Sequence, residues 1–297
     1  METMSDRFHS IVAEDSPVVL LSSGFEFVEG PVWNRDGEFL LFSDIAGNRM
    51  LKWEGSAGLT TFRDPSNMAN GNTYDNEGRL VTCEHATSRL TRTELDGTVT
   101  VLASHFDGRE LNSPNDVVVK SDDAIYFTDP DSGRKPFWGI PRERELDFCG
   151  VYRLEPDGGL SLLVDDFVIP NGLCFSLDES RLFVNDTARR HIRVFDVAED
   201  GSIDGGEVWA ELGGGEGDRP PDGMKVDSEG TLFCVGPGGV HLFDPDGARL
   251  GVIAVPEPVA NFAWGGPTLT TLFITAATSL YSIELLVPGL ATPREVR

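Results

Sequence analysis

An all-β fold, a six-bladed β-propeller, follows from three features of the chain. A short apolar strand, a polar turn and a second apolar run recur six times, with equivalent positions 39 to 56 residues apart. The turns between them (NRDG, DNEG, KSDD, SLDES, DSEG and GGP) carry the Gly, Asn and Asp that tight reversals need. No stretch of useful length repeats its apolar residues at a helical period. Repeats of roughly 40 to 50 residues built from short strands are the mark of propeller blades, with about four strands in each.

Taken in order, residues 1–16 read as a flexible N-terminal arm and residues 17–297 as a single propeller domain. Residues 17–23 (PVVLLSS) form a strand without a partner in their own repeat, and the last repeat ends after three strands. Ring closure therefore predicts that PVVLLSS becomes the outer strand of the last blade, tying the termini together and removing a free edge. Second strands are expected at 39–42, 80–81, 125–127, 182–184, 232–235 and 272–274. Third strands follow at 49–53, 89–94, 150–154, 191–196, 239–243 and 279–283, several leading into hairpin turns such as LDGT, EPDGG, AEDGS and DPDGA. Fourth strands include 99–102, 160–164 and 250–255. Two connections are too long for blade turns, 130–148 and 211–221, and adjoin the same end of the repeats. The first holds Phe137 and Trp138 and reads as a lid.

Whole-chain chemistry narrows the partners. The formal charge is −25, with only four lysines, so phosphate backbones and anionic lipid surfaces are repelled and neither nucleic acid nor membrane is expected. No apolar run is long enough to span a bilayer, and METMSDRFHS lacks the apolar core of a secretory signal. Cys83, Cys149, Cys174 and Cys234 include no CxxC pair. Cys174 and Cys234 lie in apolar strands, so they read as core thiols suited to a reducing cytoplasm.

The six repeats open on Glu29, Asn70, Asn115, Asn171, Asp222 and Asn261. Asp, Glu and Asn account for 60 of 297 residues, so their presence at all six positions is not chance. Turn chemistry is one explanation, since Asn and Asp favour strand starts. The other is geometric: the innermost strand of a blade lines the axis, and its first residue points into the mouth. Oxygens converging there, with no Lys or Arg in the column, would repel one another unless a cation held them.

At this point the residues carry a resemblance. GFEFVEGPVWNRDGEFLLFSDI, LNSPNDVVVKSDDAIYFTDP and VIPNGLCFSLDESRLFVNDTARRHIRVFDV together resemble the gluconolactonase family, which also holds the senescence-marker-protein (regucalcin) lactonases and luciferin-regenerating enzymes. PDGMKVDSEGTLFCVGPGGVHLFDPDG and NFAWGGPTLTTLFIT fit its C-terminal half, and the chain looks closest to the bacterial sugar-lactonase branch. The resemblance implies a divalent-metal-dependent lactonase that opens an aldonolactone to the aldonic acid. It places the metal on Glu29 of EGP, Asn171 of PNG and Asp222 of PDG, with Asn115 of SPND beside it as substrate contact or further ligand. The chain does not depart from the family pattern at these four positions.

Oxygen-only donors suit a hard cation, Ca²⁺ first and Mg²⁺ or Mn²⁺ next, while related enzymes are also supported by Zn²⁺ or Fe²⁺. Asp222 is the expected general base, with direct attack by its carboxylate as the other path. Arg109, Asn112, Asp129 and His85 are expected to contact substrate on the same face. For His85 a turn imidazole held by backbone is the structural alternative, and for Arg109 a solvated charge. The partner implied is a small lactone, and monomer or dimer is left open. Two other functions compete: phosphotriester hydrolysis at the same site, and a metal-binding propeller without enzymatic activity.

Overall fold

The computed structural model describes residues 5–215 and 217–292. Six four-stranded antiparallel sheets are arranged as a β-propeller. Blade 1 is Val28–Asn34, Phe39–Asp44, Arg49–Glu54 and Gly58–Arg63; blade 2 is Ala69–Tyr74, Leu80–Glu84, Arg89–Thr93 and Val99–Ala103. Blade 3 is Val117–Val119, Ile125–Asp129, Cys149–Leu154 and Leu160–Phe167; blade 4 is Pro170–Phe175, Arg181–Asp186, His191–Val197 and Ile203–Glu211. Blade 5 is Met224–Val226, Leu232–Gly236, Gly239–Phe243 and Arg249–Ala254. Blade 6 takes Val259–Gly265, Thr271–Ala276 and Ser279–Glu284 from the end of the chain and Val19–Ser23 from its beginning. Val19 pairs with Ser282 and Ser23 with Ser279, so the expected closure strand occupies the outer position.

Burial falls from the axis outward. In blade 2 every residue of the first two strands is buried, whereas Gly58–Arg63 and Ile203–Glu211 are largely exposed. Outer strands of that kind lack a clean apolar alternation, which is why these two were not singled out in the sequence. Among the described residues, six apolar clusters fill the six interfaces between blades. Trp33 of blade 1, for example, stacks on Phe273 of blade 6 at 5.4 Å between ring centres. All four cysteines are buried and free, as core thiols.

The flexible arm expected over residues 1–16 is corrected for its described part; residues 1–4 lie outside the described residues. Asp6–Ile11 is a helix, capped by Ser5, whose side chain accepts a hydrogen bond from the Phe8 amide. Phe8 and Ile11 are buried against blades 5 and 6. The Ile11 carbonyl accepts from the Leu286 amide at 2.8 Å, and the Ser5 amide donates to Leu250 at 3.1 Å. One turn and a half of helix has too few residues to show a period, and it is stable here only because the blades receive two apolar side chains.

Candidate functional site

The inner strands lose their regular register where the polar column begins. Pairing with the second strand shifts between Glu29 and Val32, Ala69 and Asn72, Pro170 and Leu173, and Val259 and Asn261. Such bulges re-aim a side chain that a regular pleat would send between blades. In blades 3 and 5 the strand starts only after Asn115 and Asp222. The ring is also tight. A Cβ on Gly30 would lie 1.9 Å from the Asn70 carbonyl oxygen, and one on Gly223 would lie 2.2 Å from the Asn261 side chain. The Gly after the polar residue is thus required by the approach of the neighbouring blade, not by a hairpin turn.

A repeated clamp holds these segments. Asp44, Asp129 and Asp186 end the second strands of blades 1, 3 and 4, and all three are fully buried. Asp44 accepts from the amides of Glu26 (3.1 Å) and Phe27 (3.0 Å), and Asp129 from those of Asn112 (2.8 Å) and Ser113 (2.7 Å). Asp186 accepts from Val168 (2.9 Å) and Ile169 (3.3 Å). In each blade the clamped amides lie three and two residues before the axial residue, so one carboxylate fixes how Glu29, Asn115 or Asn171 enters the mouth.

Glu29, Asn171 and Asp222, from blades 1, 4 and 5, come together at the axis. The Asp222 carboxyl lies beside both Asn171 and Glu29. Asn261 donates to Glu29 Oε2 at 3.0 Å, and Asn171 donates to Thr187 Oγ1 at 3.1 Å. Burial, then the charges of Asp222 and Asp116, raises the proton affinity of Glu29 well above the usual carboxylate range. Burial does the same for Asp222, opposed chiefly by the Arg219 guanidinium. Two carboxylates and a carboxamide crowded in this way offer only oxygen donors, and that set fits a hard divalent cation. Among the described residues no group of three or more His, Cys, Asp or Glu side chains is arranged to hold a metal, so the carboxamides are needed to complete a coordination set.

Two cations near the ring were missed in the sequence. Arg219, in the long connection before Asp222, pairs with Asp222 Oδ2. Lys225 places Nζ 3.2 Å from Asn261 Oδ1 and faces Asp116. The premise that no Lys or Arg joins the ring oxygens therefore holds for the column itself and fails for the space around it. Arg219 stands three residues ahead of a ring carboxylate in a connection already placed near the mouth. Lys225 is one of only four lysines and interrupts the apolar strand Met224–Val226.

The expected substrate contacts separate. Asn115 is in the ring, its amide donating to Thr128 at 2.8 Å and its carbonyl accepting from Gly71 at 2.8 Å. Asp129 and Asn112 are both fully buried. Asp129 spends its oxygens on the clamp, and burial pushes its pKa up to about 7. Asn112 donates its side chain to the carbonyls of Phe148 (2.8 Å) and Asp129 (3.2 Å). Arg109 meets Asp147 at 3.5 Å and the Phe148 ring, at the base of the 130–148 loop, with no ring residue among its contacts. That is the solvated charge of the structural alternative.

His85 is buried behind Asn70. Its Nδ1 lies 2.7 Å from the Trp138 carbonyl and its Nε2 3.1 Å from Asn70 Nδ2. A carbonyl only accepts, so Nδ1 carries the proton and Nε2 accepts from Asn70. Burial lowers the imidazole pKa to about 4, which keeps it neutral. His85 joins Asn70 to the lid.

The lid itself is pinned at its base by the buried Arg134. That guanidinium donates to the carbonyls of Asn112 (2.8 Å) and Leu111 (2.7 Å) and pairs with Glu110 at 2.5 Å. At the tip, Trp138 meets the edge of Phe27 at 4.6 Å, and Phe137 lies beside both rings. Phe27 is two residues from Glu29, so the lid covers one side of the mouth. No helix among the described residues is long and apolar enough to cross a membrane.

Residues 27–278 match the family described as the SMP-30/Gluconolactonase/LRE-like region. A gluconolactonase of Zymomonas mobilis is 32% identical over 94% of this chain and 84% of its own length. The pentonolactonase XacC of Haloferax volcanii is 30% identical, covering 84% of this chain and 81% of its own. The structure of a gluconolactonase from Xanthomonas campestris superposes with a TM-score of 0.87 at 35% identity, covering 95% of this chain and 93% of that one.

Proposed function

Since the chain belongs to the SMP-30/gluconolactonase/LRE-like family, we propose that it is a hydrolase that opens sugar lactones, and that it does so with one divalent cation at the propeller mouth. The observation that carries the reading is the meeting of Glu29, Asn171 and Asp222 from three separate blades, with Asp222 beside the other two. Blade packing alone does not call for buried carboxylates in contact. The gluconolactonase and pentonolactonase relatives support the substrate class, an aldonolactone.

Glu29, Asn171 and Asp222 would hold the cation, with Asn115 alongside. Once bound, such an ion polarises a carbonyl and acidifies a coordinated water. The chain's own residues do the rest. Asp222, whose proton affinity is raised by burial, takes a proton as water adds to the lactone carbonyl carbon and the carbonyl π pair moves onto oxygen. When that pair returns, the ring C–O bond breaks, and Asp222 gives its proton to the departing ring oxygen as a hydroxyl. The product is a ring-opened hydroxy acid, ionised at neutral pH. Asn70 and Asn115 can each donate and accept toward sugar hydroxyls. Phe27, Phe137 and Trp138 supply an apolar wall on the lid side and limit water.

The test is a panel of aldonolactones and one phosphotriester, assayed after chelation and after separate return of Ca²⁺, Mg²⁺, Mn²⁺, Zn²⁺ and Fe²⁺. Lactone turnover that disappears with chelator and returns with one ion is the expected result. Full turnover in chelator would remove the metal from the reading, and preference for the phosphotriester would replace the substrate class.

A further inference from the structure

We infer that Arg219 is the anion-binding arm of this site: it receives the negative oxygen formed when the lactone carbonyl is attacked and then the carboxylate of the product. The inference rests on the lactonase reading and extends it to a residue outside the axial ring.

Arg219 is fixed on three sides. Its Nε donates to the Val259 carbonyl at 2.7 Å, its Nη2 pairs with Asp222 Oδ2, and its guanidinium lies 5.5 Å from the centre of the Phe27 ring. Phe27 in turn carries the lid residues Trp138 at 4.6 Å and Phe137 at 6.3 Å. The two long connections therefore meet over one aromatic ring, with the guanidinium between that ring and Asp222. Among the described residues Nη1 has no hydrogen-bond partner, so one edge of the planar fork stays available. An exposed ion pair would need none of this positioning and contributes little.

The charge balance of the reaction calls for such a group. A sugar lactone enters neutral and leaves as an anion, and the mouth it leaves already holds the carboxylates of Glu29, Asp116 and Asp222. A fixed positive group beside the cation lessens the repulsion of the product and of the oxyanion before it. A guanidinium offers two parallel N–H donors that match a carboxylate, and an ammonium does not. Lys225 offers a point charge without a planar fork, and its Nζ already contacts Asn261. Because Arg219 also holds Asp222, it competes with a cation for that carboxylate, and its loss should strengthen cation binding.

The experiment compares the full-length protein with Arg219→Gln and Arg219→Lys. It uses titration calorimetry with Ca²⁺, inhibition by gluconate, and kcat and KM on the neutral lactone. Arg219→Gln should bind Ca²⁺ about tenfold more tightly or better, and gluconate inhibition should weaken by about tenfold or more. Its kcat should fall while KM changes by less than about threefold, as expected for a group that acts after substrate binding. Arg219→Lys keeps the charge and loses the fork, so its Ca²⁺ affinity should stay near the parent's while gluconate still binds poorly. If a lactone-active parent and its Arg219→Gln variant share the same Ca²⁺ affinity and the same gluconate inhibition, the role given to Arg219 is wrong and the lactonase reading stands. A parent inactive on every lactone overturns that reading, and this inference falls with it.

Discussion

Replacing Gly30 by Ala tests whether the close approach of neighbouring blades builds the mouth. Gly30 has φ +53°, a conformation that costs an L side chain about 1–2 kcal/mol. The new Cβ would stand 1.9 Å from the Asn70 carbonyl oxygen and 2.8 Å from Asn72 Nδ2. Asn72 donates to the Gly30 carbonyl at 2.8 Å, so neither neighbour is the free end of a side chain. Reaching an ordinary contact requires the start of the blade 2 inner strand to move by about 1 Å or more, an overpacking strain of about 1–3 kcal/mol.

The sum is about 2–5 kcal/mol, and for a chain of this size about 2–4 °C of Tm accompanies each kcal/mol, so a fall of about 4–20 °C is expected. Gly78→Ala is the control: its φ is +77°, yet nothing lies within 4 Å of the added Cβ, so it should show the backbone strain alone. Thermal melts with chelator and with excess Ca²⁺ measure both effects, since an ion that binds only the folded state raises Tm. Gly30→Ala should lose most of the Ca²⁺ increment as well as stability, while Gly78→Ala keeps the increment. Equal melting of the two variants with equal Ca²⁺ increments would refute the argument that this glycine spaces the ring.

Three further outcomes follow from the same geometry. Asp222→Asn keeps an oxygen in the mouth and removes the base, so lactone turnover should drop by about 10² to 10⁴ with Ca²⁺ binding still detectable by calorimetry; turnover near the parent's would reassign the base. Glu29, Asp116, Asp129 and Asp222 all bind protons more readily folded than unfolded, with burial the first cause. Their stabilising effect is therefore present at low pH and is lost as pH rises through the raised values, so chelated protein should melt higher near about pH 5.5 than near about pH 7.5. Glu29→Gln should flatten that difference, and an unchanged slope would place the dependence elsewhere. Finally, Phe8→Ala empties a buried contact of the N-terminal helix and should cost about 3–5 kcal/mol in denaturant unfolding; a loss below about 1 kcal/mol would mean the helix is only loosely attached.

Much of the architecture was legible because it is written locally. Alternating turns and apolar runs mark inner, second and third strands, and an unpartnered strand at the start with a three-strand repeat at the end leaves one way to close the ring. The axial column was legible for a related reason: six blades repeat one geometry, so a chemistry needed at the axis recurs at one register. Asp129 and Asp222 show where that ends. Each carboxylate adjoins a strand near the mouth, yet one accepts two backbone amides inside the blade and the other faces the axis. Composition and spacing describe them alike, and only the packing of the preceding segment against the second strand tells them apart. Asn112 and Asn115 divide in the same way within a single loop. The docking of Asp6–Ile11 on blades 5 and 6 and the arrival of Arg219 at Asp222 depend on surfaces assembled from distant parts of the chain, and His85 links Asn70 to a lid more than fifty residues away. Contacts of that range leave no period in the sequence. They exist only once the ring has closed, because closure is what brings six separate strand ends to one axis.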